Sequence, residues 1–210
     1  MKTRLIRSLP FLLILLVATL LLAAGQATTS SGSAAPRLLD DFEDGNLDAA
    51  PGLPWIVIAD DLMGGASTGQ IDVVEPGAAG TKKALRLQAQ IREGFRTPFV
   101  GAWTAAQAEG SPTDLSSFQG IRFQARGQGG VFRVALRSGQ TGGGVMNFVK
   151  AFDAPKDWTA FSVPFSELAA QAPSPTPVPW SPQTVSWIGF ITSRPTPGDV
   201  ELQVDQVELY

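Results

Sequence analysis

The chain has 210 residues, 16 basic and 19 acidic, and contains neither cysteine nor histidine. A domain of that size buries a full core without covalent staples. Lacking Cys and His, it has no thiol nucleophile, no thiolate or imidazole metal ligand and no Ser-His or Cys-His pair, which weighs against ordinary hydrolase chemistry and leaves catalysis on paired carboxylates open.

Lys2, Arg4 and Arg7 precede an apolar run from Phe11 to Leu22, continued by Ala23 and Ala24 and then by Gly25, Gln26 and Ala27. A basic start, an apolar stretch and a small-x-small site predict a secretory signal over residues 1–27, cleaved after Ala27. The protein is therefore expected outside the cytoplasmic membrane, whether periplasmic, cell-surface or extracellular. The alternative is an uncleaved anchor, the one route by which a membrane enters this reading. The run is shorter than the ~20 residues of a usual span, and no Cys follows it to take a lipid. Cleavage would leave 13 basic residues against 19 acidic ones, a net charge of −6. Nucleic acid is thereby a poor partner. Residues 28–37 hold a Ser/Thr/Gly/Ala tract ending at Pro36 and read as a flexible tether; the domain is assigned to residues 38–210.

The domain opens on the acidic stretch Asp40-Asp-Phe-Glu-Asp-Gly45. An apolar run, Ile56 to Ala59, then stops at Asp60 and Asp61 and is followed at once by Gly64 and Gly65, a strand ending at a polar corner. Alternating segments follow over 71–74, 85–91, 121–126, 131–137, 146–152, 158–163, 185–191 and 200–209. With turn residues between them, they predict an all-β sandwich. Pro164 to Gln171 reads as a helical turn capped by Ser166, and the prolines between Ala172 and Pro182 as a stiff extended loop. Glycines cluster at 127–130 and 139–144, read as hairpin loops.

Alternation also predicts which side chains face outwards. Ile121, Phe123 and Ala125 turn inwards and leave Arg122, Gln124 and Arg126 outside, while Phe132, Val134 and Leu136 leave Arg133 and Arg137 outside. Were these strands neighbours, one exposed face would carry planar donors in rows, suited to sugar hydroxyls, carboxylates or an acidic protein edge. The plainer reading is a solvated face. Trp180, among prolines, is the Trp expected to be exposed as a stacking platform for a pyranose ring; Trp187, alternating with Val185 and Gly189, is expected to be buried.

Trp55, Asp60, Asp61, Met63, Gly64, Gly65 and Ser67 stand as Trp-Ile-Val-Ile-Ala-Asp-Asp-Leu-Met-Gly-Gly-Ala-Ser. This stretch resembles the Asp-Asp-Val-Met-Gly-Gly-x-Ser signature of the complex I intermediate-associated protein 30 family. The resemblance continues through Asp114 to Ile121, Arg126-Gly-Gln-Gly129 and Trp158 with Val163-Pro-Phe165. It departs at Gly94-Phe-Arg96, where the family commonly carries Gly-Gly-Phe-Ala-Ser. It implies a galactose-binding-like, jelly-roll β-sandwich related to carbohydrate-binding modules. Its mitochondrial members act as assembly chaperones for respiratory complex I.

The resemblance also implies that the first and last strands lie side by side. Some related modules hold a structural calcium ion there, for which Asp41, Glu43 and Asp205 are the candidate ligands. An acidic turn with no metal is the alternative. Asp60 and Asp61 are the candidate acid/base pair, but adjacent strand residues point to opposite faces and do not share a substrate. The sequence thus reads as an exported, non-catalytic binding module for carbohydrate. The alternatives are an assembly factor with a protein partner and, remotely, a carboxylate-dependent enzyme.

Overall fold

Every second side chain of the alternating segments is apolar, so each can bury one face, and the described residues form twelve strands. The computed structural model describes residues 34–51, 53–139, 144–171, 179–194 and 196–210. The predicted export segment lies outside them. The strands are β1 (Arg37–Asp40), β2 (Ile56–Ala59), β3 (Thr68–Val74), β4 (Ala84–Ile91), β5 (Phe99–Ala105), β6 (Gly120–Gln128), β7 (Phe132–Gly139), β8 (Val145–Phe152), β9 (Thr159–Pro164), β10 (Ala169–Ala170), β11 (Val185–Ser193) and β12 (Gly198–Leu209).

They make two six-stranded antiparallel sheets. The first runs β3-β4-β12-β6-β9, with β1 paired to β12; the second runs β10-β8-β7-β11-β5-β2. The first and last strands are thus neighbours, as expected. Inward residues of both sheets form one core. Phe123 of β6 meets Phe190 of β11 edge-on, with ring centroids 4.8 Å apart, and Phe152 of β8 at 5.1 Å. Such pairs favour offset or edge contacts because the ring faces are negative and the edges positive.

Four expectations change. The glycines at 127–130 do not close a hairpin: β6 belongs to the first sheet and β7 to the second, so this connection crosses the sandwich. Arg37, assigned to the tether, opens β1 opposite Leu209, and the Ala34 N–H already donates to Ser117 O. The helical turn shrinks to a 3₁₀ turn at Phe165–Glu167, after which Ala169–Ala170 pairs with β8; most of the proline loop lies outside the described residues. The alternation of β12 breaks at a bulge between Asp205 and Glu208, where Gln206 has φ +49°. The extra residue resets the inward positions from Val200, Leu202 and Val204 to Val207 and Leu209, and it turns Asp205 into the interior.

Candidate functional site

Three buried aspartates act as struts. Asp60 accepts the Ser67 N–H on one oxygen at 2.8 Å and the Phe99 N–H on the other at 2.9 Å, tying β3 and β5 to the 3₁₀ corner Asp60–Met63. Burial pushes its carboxyl up, but hydrogen bonds from Ser67, Phe99 and Ala66 outweigh it and hold the group below its ordinary value. Gly64 supplies φ +87°, and a Cβ on Gly65 would collide with the Asp60 carboxylate. Asp40 accepts the Phe42 N–H and the Trp55 Nε1–H, the latter at 2.9 Å. Ser67 Oγ accepts the Arg92 N–H. The family motif is therefore chiefly a folded corner, from which Asp61, Leu62 and Met63 project into solvent. Asp60 is buried and Asp61 exposed, so they share no substrate and form no acid/base pair.

The calcium candidates form no cluster of three, although Glu43 lies near enough to Asp205 to act on its charge. Asp205 accepts the Ala78 N–H, the Thr81 hydroxyl and the Gln206 N–H, whereas Glu43 accepts the N–H groups of Lys82 and Lys83. Asp41 takes the Glu43 N–H. Asp205 and Glu43 brace the 76–83 loop through its donors, and among the described residues no three Asp or Glu side chains gather to hold a metal.

The predicted row of donors is split between the two outer faces. Arg122, Gln124 and Arg126 lie outside the first sheet, Arg133 and Arg137 outside the second. On the first face the charges are satisfied internally. Arg122 pairs with Glu208 and lies over the Tyr210 ring. Arg126 donates twice to Gln203 Oε1 and stacks on Trp158 at 4.8 Å. Arg86 pairs with Asp72. A groove of about 570 Å³ crosses this same face. Its amides form a closed chain in which Gln70 donates to Gln88, and Gln88 and Gln203 both donate to Glu201.

The second face differs in kind. Trp103 of β5 lies on it yet is only 2 % exposed. Its indole occupies a trough left by Gly101 and Gly189: a Cβ on Gly189 would sit 2.5 Å from Trp103 Cδ2, and one on Gly101 2.7 Å from Trp103 Nε1. Ala135 and Ile191 complete the bed, with Trp187, Val149 and Ile58 half-buried around it. Trp187 therefore faces outwards, opposite Arg137, rather than into the core. The Arg137 guanidinium lies 5.3 Å from the centre of the Trp103 ring system. Its Nε donates to Asn147 Oδ1 at 3.0 Å, and Asn147 Nδ2 donates to Gln171 Oε1 at 3.0 Å. Burial pushes the guanidinium below its ordinary value. The Trp103 Nε1–H finds no acceptor. Arg133 reaches only the Ser193 carbonyl, at 3.4 Å.

Trp180, the predicted platform, instead packs its ring on Phe148 and Phe165, with centroids 5.2 and 5.3 Å away. The sequence reading placed Trp187 in the core and did not select Trp103 or Gln171 as site residues. The glycines flanking the two Trp positions were the available signal, because a large aromatic beside Gly on a sheet face has room to lie flat. The face offers the half-buried Trp187 ring, with the planar groups of Arg137 and Asn147 fixed beside it.

Comparison with known proteins fits this architecture. The family 11 carbohydrate-binding module of a cellulosomal cellulase of Clostridium thermocellum superposes with a TM-score of 0.65 at 17% identity, over 84% of this chain and 94% of that one. A second structure of that module, in complex with a β-1,3-1,4-mixed-linked tetrasaccharide, gives 0.62 at 17% identity over 84% and 96%. The family 30 module of another cellulosomal cellulase of Clostridium thermocellum gives 0.58 at 12% identity over 84% and 98%. At these identities the likeness is one of fold. No curated protein matches the chain. The model of complex I intermediate-associated protein 30 (CIA30) matches residues 41–204, the acidic corner and both sheets included, and the chain belongs to that family.

Proposed function

We propose that the protein is an exported, non-catalytic binding module that recognises carbohydrate on the outer face of the second sheet. The observation that carries this reading is the gathering of Trp103, Trp187, Arg137 and Asn147 on one face, against a first sheet whose charges are mostly paired within the protein. The half-buried Trp187 ring offers an apolar plane to the C–H face of a pyranose, and the neighbouring amide and guanidinium groups suit its hydroxyls. The fold shared with carbohydrate-binding modules supports the reading.

Affinity electrophoresis or calorimetry against a panel of polysaccharides tests it, comparing wild type with Trp187→Ala and Arg122→Ala. Trp187→Ala is expected to weaken binding about tenfold, the equivalent of about 1.4 kcal/mol of lost stacking, while Arg122→Ala leaves it unchanged. The reverse pattern moves the site to the first sheet. Export is tested by intact mass: protein recovered outside the cytoplasm is expected to lack residues 1–27, and their retention would mean an anchor.

A second reading, a factor that docks a protein during assembly of a membrane complex, is favoured by a separate feature. Ile56, Leu62 and Met63 are 38%, 72% and 57% exposed beside the same face, an apolar rim of the kind that marks protein interfaces. Absence of glycan binding, together with co-purification of a membrane-complex subunit, would transfer the function to that reading.

A further inference from the structure

Charge is distributed unevenly over the two outer faces. Among the described residues, the charged side chains at outward positions of the second sheet are Arg133 and Arg137, with no carboxylate beside them. Neither forms an ion pair. Lys150 of β8, at a position in register with inward-facing Val134, has its charge matched by Glu167 at 2.8 Å. On the first sheet Arg86, Arg92 and Arg122 each face an acidic partner. Arg133 and Arg137 thus have no acidic partner on the face that carries Trp103 and Trp187, as Arg126, met by the neutral Gln203, has none beside Trp158 on the first sheet.

Arg137 is held rigidly for such a group. Its guanidinium carbon lies over the Trp103 indole, 5.3 Å from the ring centre, and its Nε is tied to Asn147, itself fixed by Gln171. Among the described residues the two η nitrogens have no protein acceptor. Arg137 lines a cavity of about 230 Å³ together with Val145, Met146, Asn147 and Gln171. A half-buried guanidinium is partly stripped of water, and an unmatched charge in that setting gains most from an anion. The free edge of the fork matches a two-oxygen acceptor, which it would hold by paired charge-assisted hydrogen bonds.

We propose that the glycan taken by this face is acidic, with a carboxylate or sulfate group on Arg137 and an adjoining ring on Trp187. This rests on the carbohydrate reading above and narrows it to anionic polysaccharides. Arg133, four residues along β7 and roughly 13 Å away on the same face, would meet a second acidic residue of the chain. Neutral glycans would leave the Arg137 η nitrogens dependent on water and lose the charge-assisted term.

The test uses the full chain as recovered from its host, in affinity gels containing polygalacturonate or alginate (carboxylate), a sulfated galactan (sulfate), or agarose and mixed-linkage β-glucan (neutral). Polyglutamate serves as an anion without sugar. Retention by one or both acidic classes, with little by the neutral gels or polyglutamate, is expected, and the acidic class retained identifies the group recognised. Arg137→Gln is expected to lower that affinity at least tenfold, Arg137→Lys to restore only part of it, and Arg122→Gln to change nothing. Melting temperatures of the variants report that they are folded. Equal retention by neutral gels would overturn the acidic preference and leave the carbohydrate reading standing. Retention by polyglutamate as strong as by the acidic glycans, or acidic binding untouched by Arg137→Gln, would also overturn the proposal. Failure to bind any glycan would remove both.

Discussion

Asp60→Asn separates a structural strut from a ligand contact. The Asp60 carboxylate is fully buried and receives one backbone N–H on each oxygen, at 2.8 and 2.9 Å. Asparagine keeps one acceptor and turns its NH₂ towards the other donor, so one charge-assisted bond is lost and one buried N–H is orphaned. A bond to a charged group contributes about 1.5–3 kcal/mol and an orphaned donor costs about 1–3 kcal/mol; because these overlap, the net loss is about 3 kcal/mol. In a domain of 150–250 residues each kcal/mol moves the melting temperature by about 2–4 °C, giving a drop of roughly 6–12 °C. Asp61→Asn is the control: Asp61 is exposed and touches only the Leu62 N–H, so its effect is expected within about 0.5 kcal/mol. Calorimetry and glycan binding are measured on the same preparations. A variant at Asp60 that melts like wild type but no longer binds would refute the strut and make the carboxylate part of the site.

Two buried aspartates should show pH effects of opposite sign. Burial, opposed by hydrogen bonds from Phe42 and Trp55, raises Asp40 to about 6; its contribution is fully present below the unfolded value near 4 and lost as pH rises through about 6. Asp60, held below its ordinary value, contributes above the normal carboxylate range and loses that contribution on acidification. Melts of Asp40→Asn and Asp60→Asn from pH 3 to 8 should flatten different limbs of the wild-type curve, and identical limbs would contradict the assignment. Gly189→Ala places a Cβ 2.5 Å from Trp103 Cδ2 and 2.6 Å from the Ala102 carbonyl. Overpacking of about 1–3 kcal/mol is expected, with a change in Trp fluorescence as the indole leaves its trough; an unchanged melt and spectrum would show that the trough is loose. Melts with calcium and with chelator should superimpose, because Glu43 and Asp205 are already committed to protein donors, and a separation of several degrees would restore the metal site.

The sequence by itself determined the fold class, the family and the inward face of most strands. Those follow from local order: period-two alternation states which side chains are buried, and the Asp-Asp-x-Met-Gly-Gly corner is a contiguous motif. It also identified Arg122, Arg126, Arg133 and Arg137 as outward-facing, since each alternates with buried neighbours. It left β5 out of the alternating segments because that strand is buried on both faces, Trp103 on the outer one, so its pattern has no period of two. Only the tertiary structure decided which outward residues meet. The crossing of the chain between β6 and β7 puts Arg126 and Arg133, seven positions apart, on opposite sides of the sandwich. Strand pairing brings Trp103 of β5, Trp187 of β11 and Arg137 of β7 together across the second sheet. The β12 bulge likewise turned Asp205 from a surface position to the interior, because one extra residue inverts every facing after it. Facing is a property of neighbours along the chain, whereas a binding face depends on pairings between strands far apart in it, which alternation does not encode.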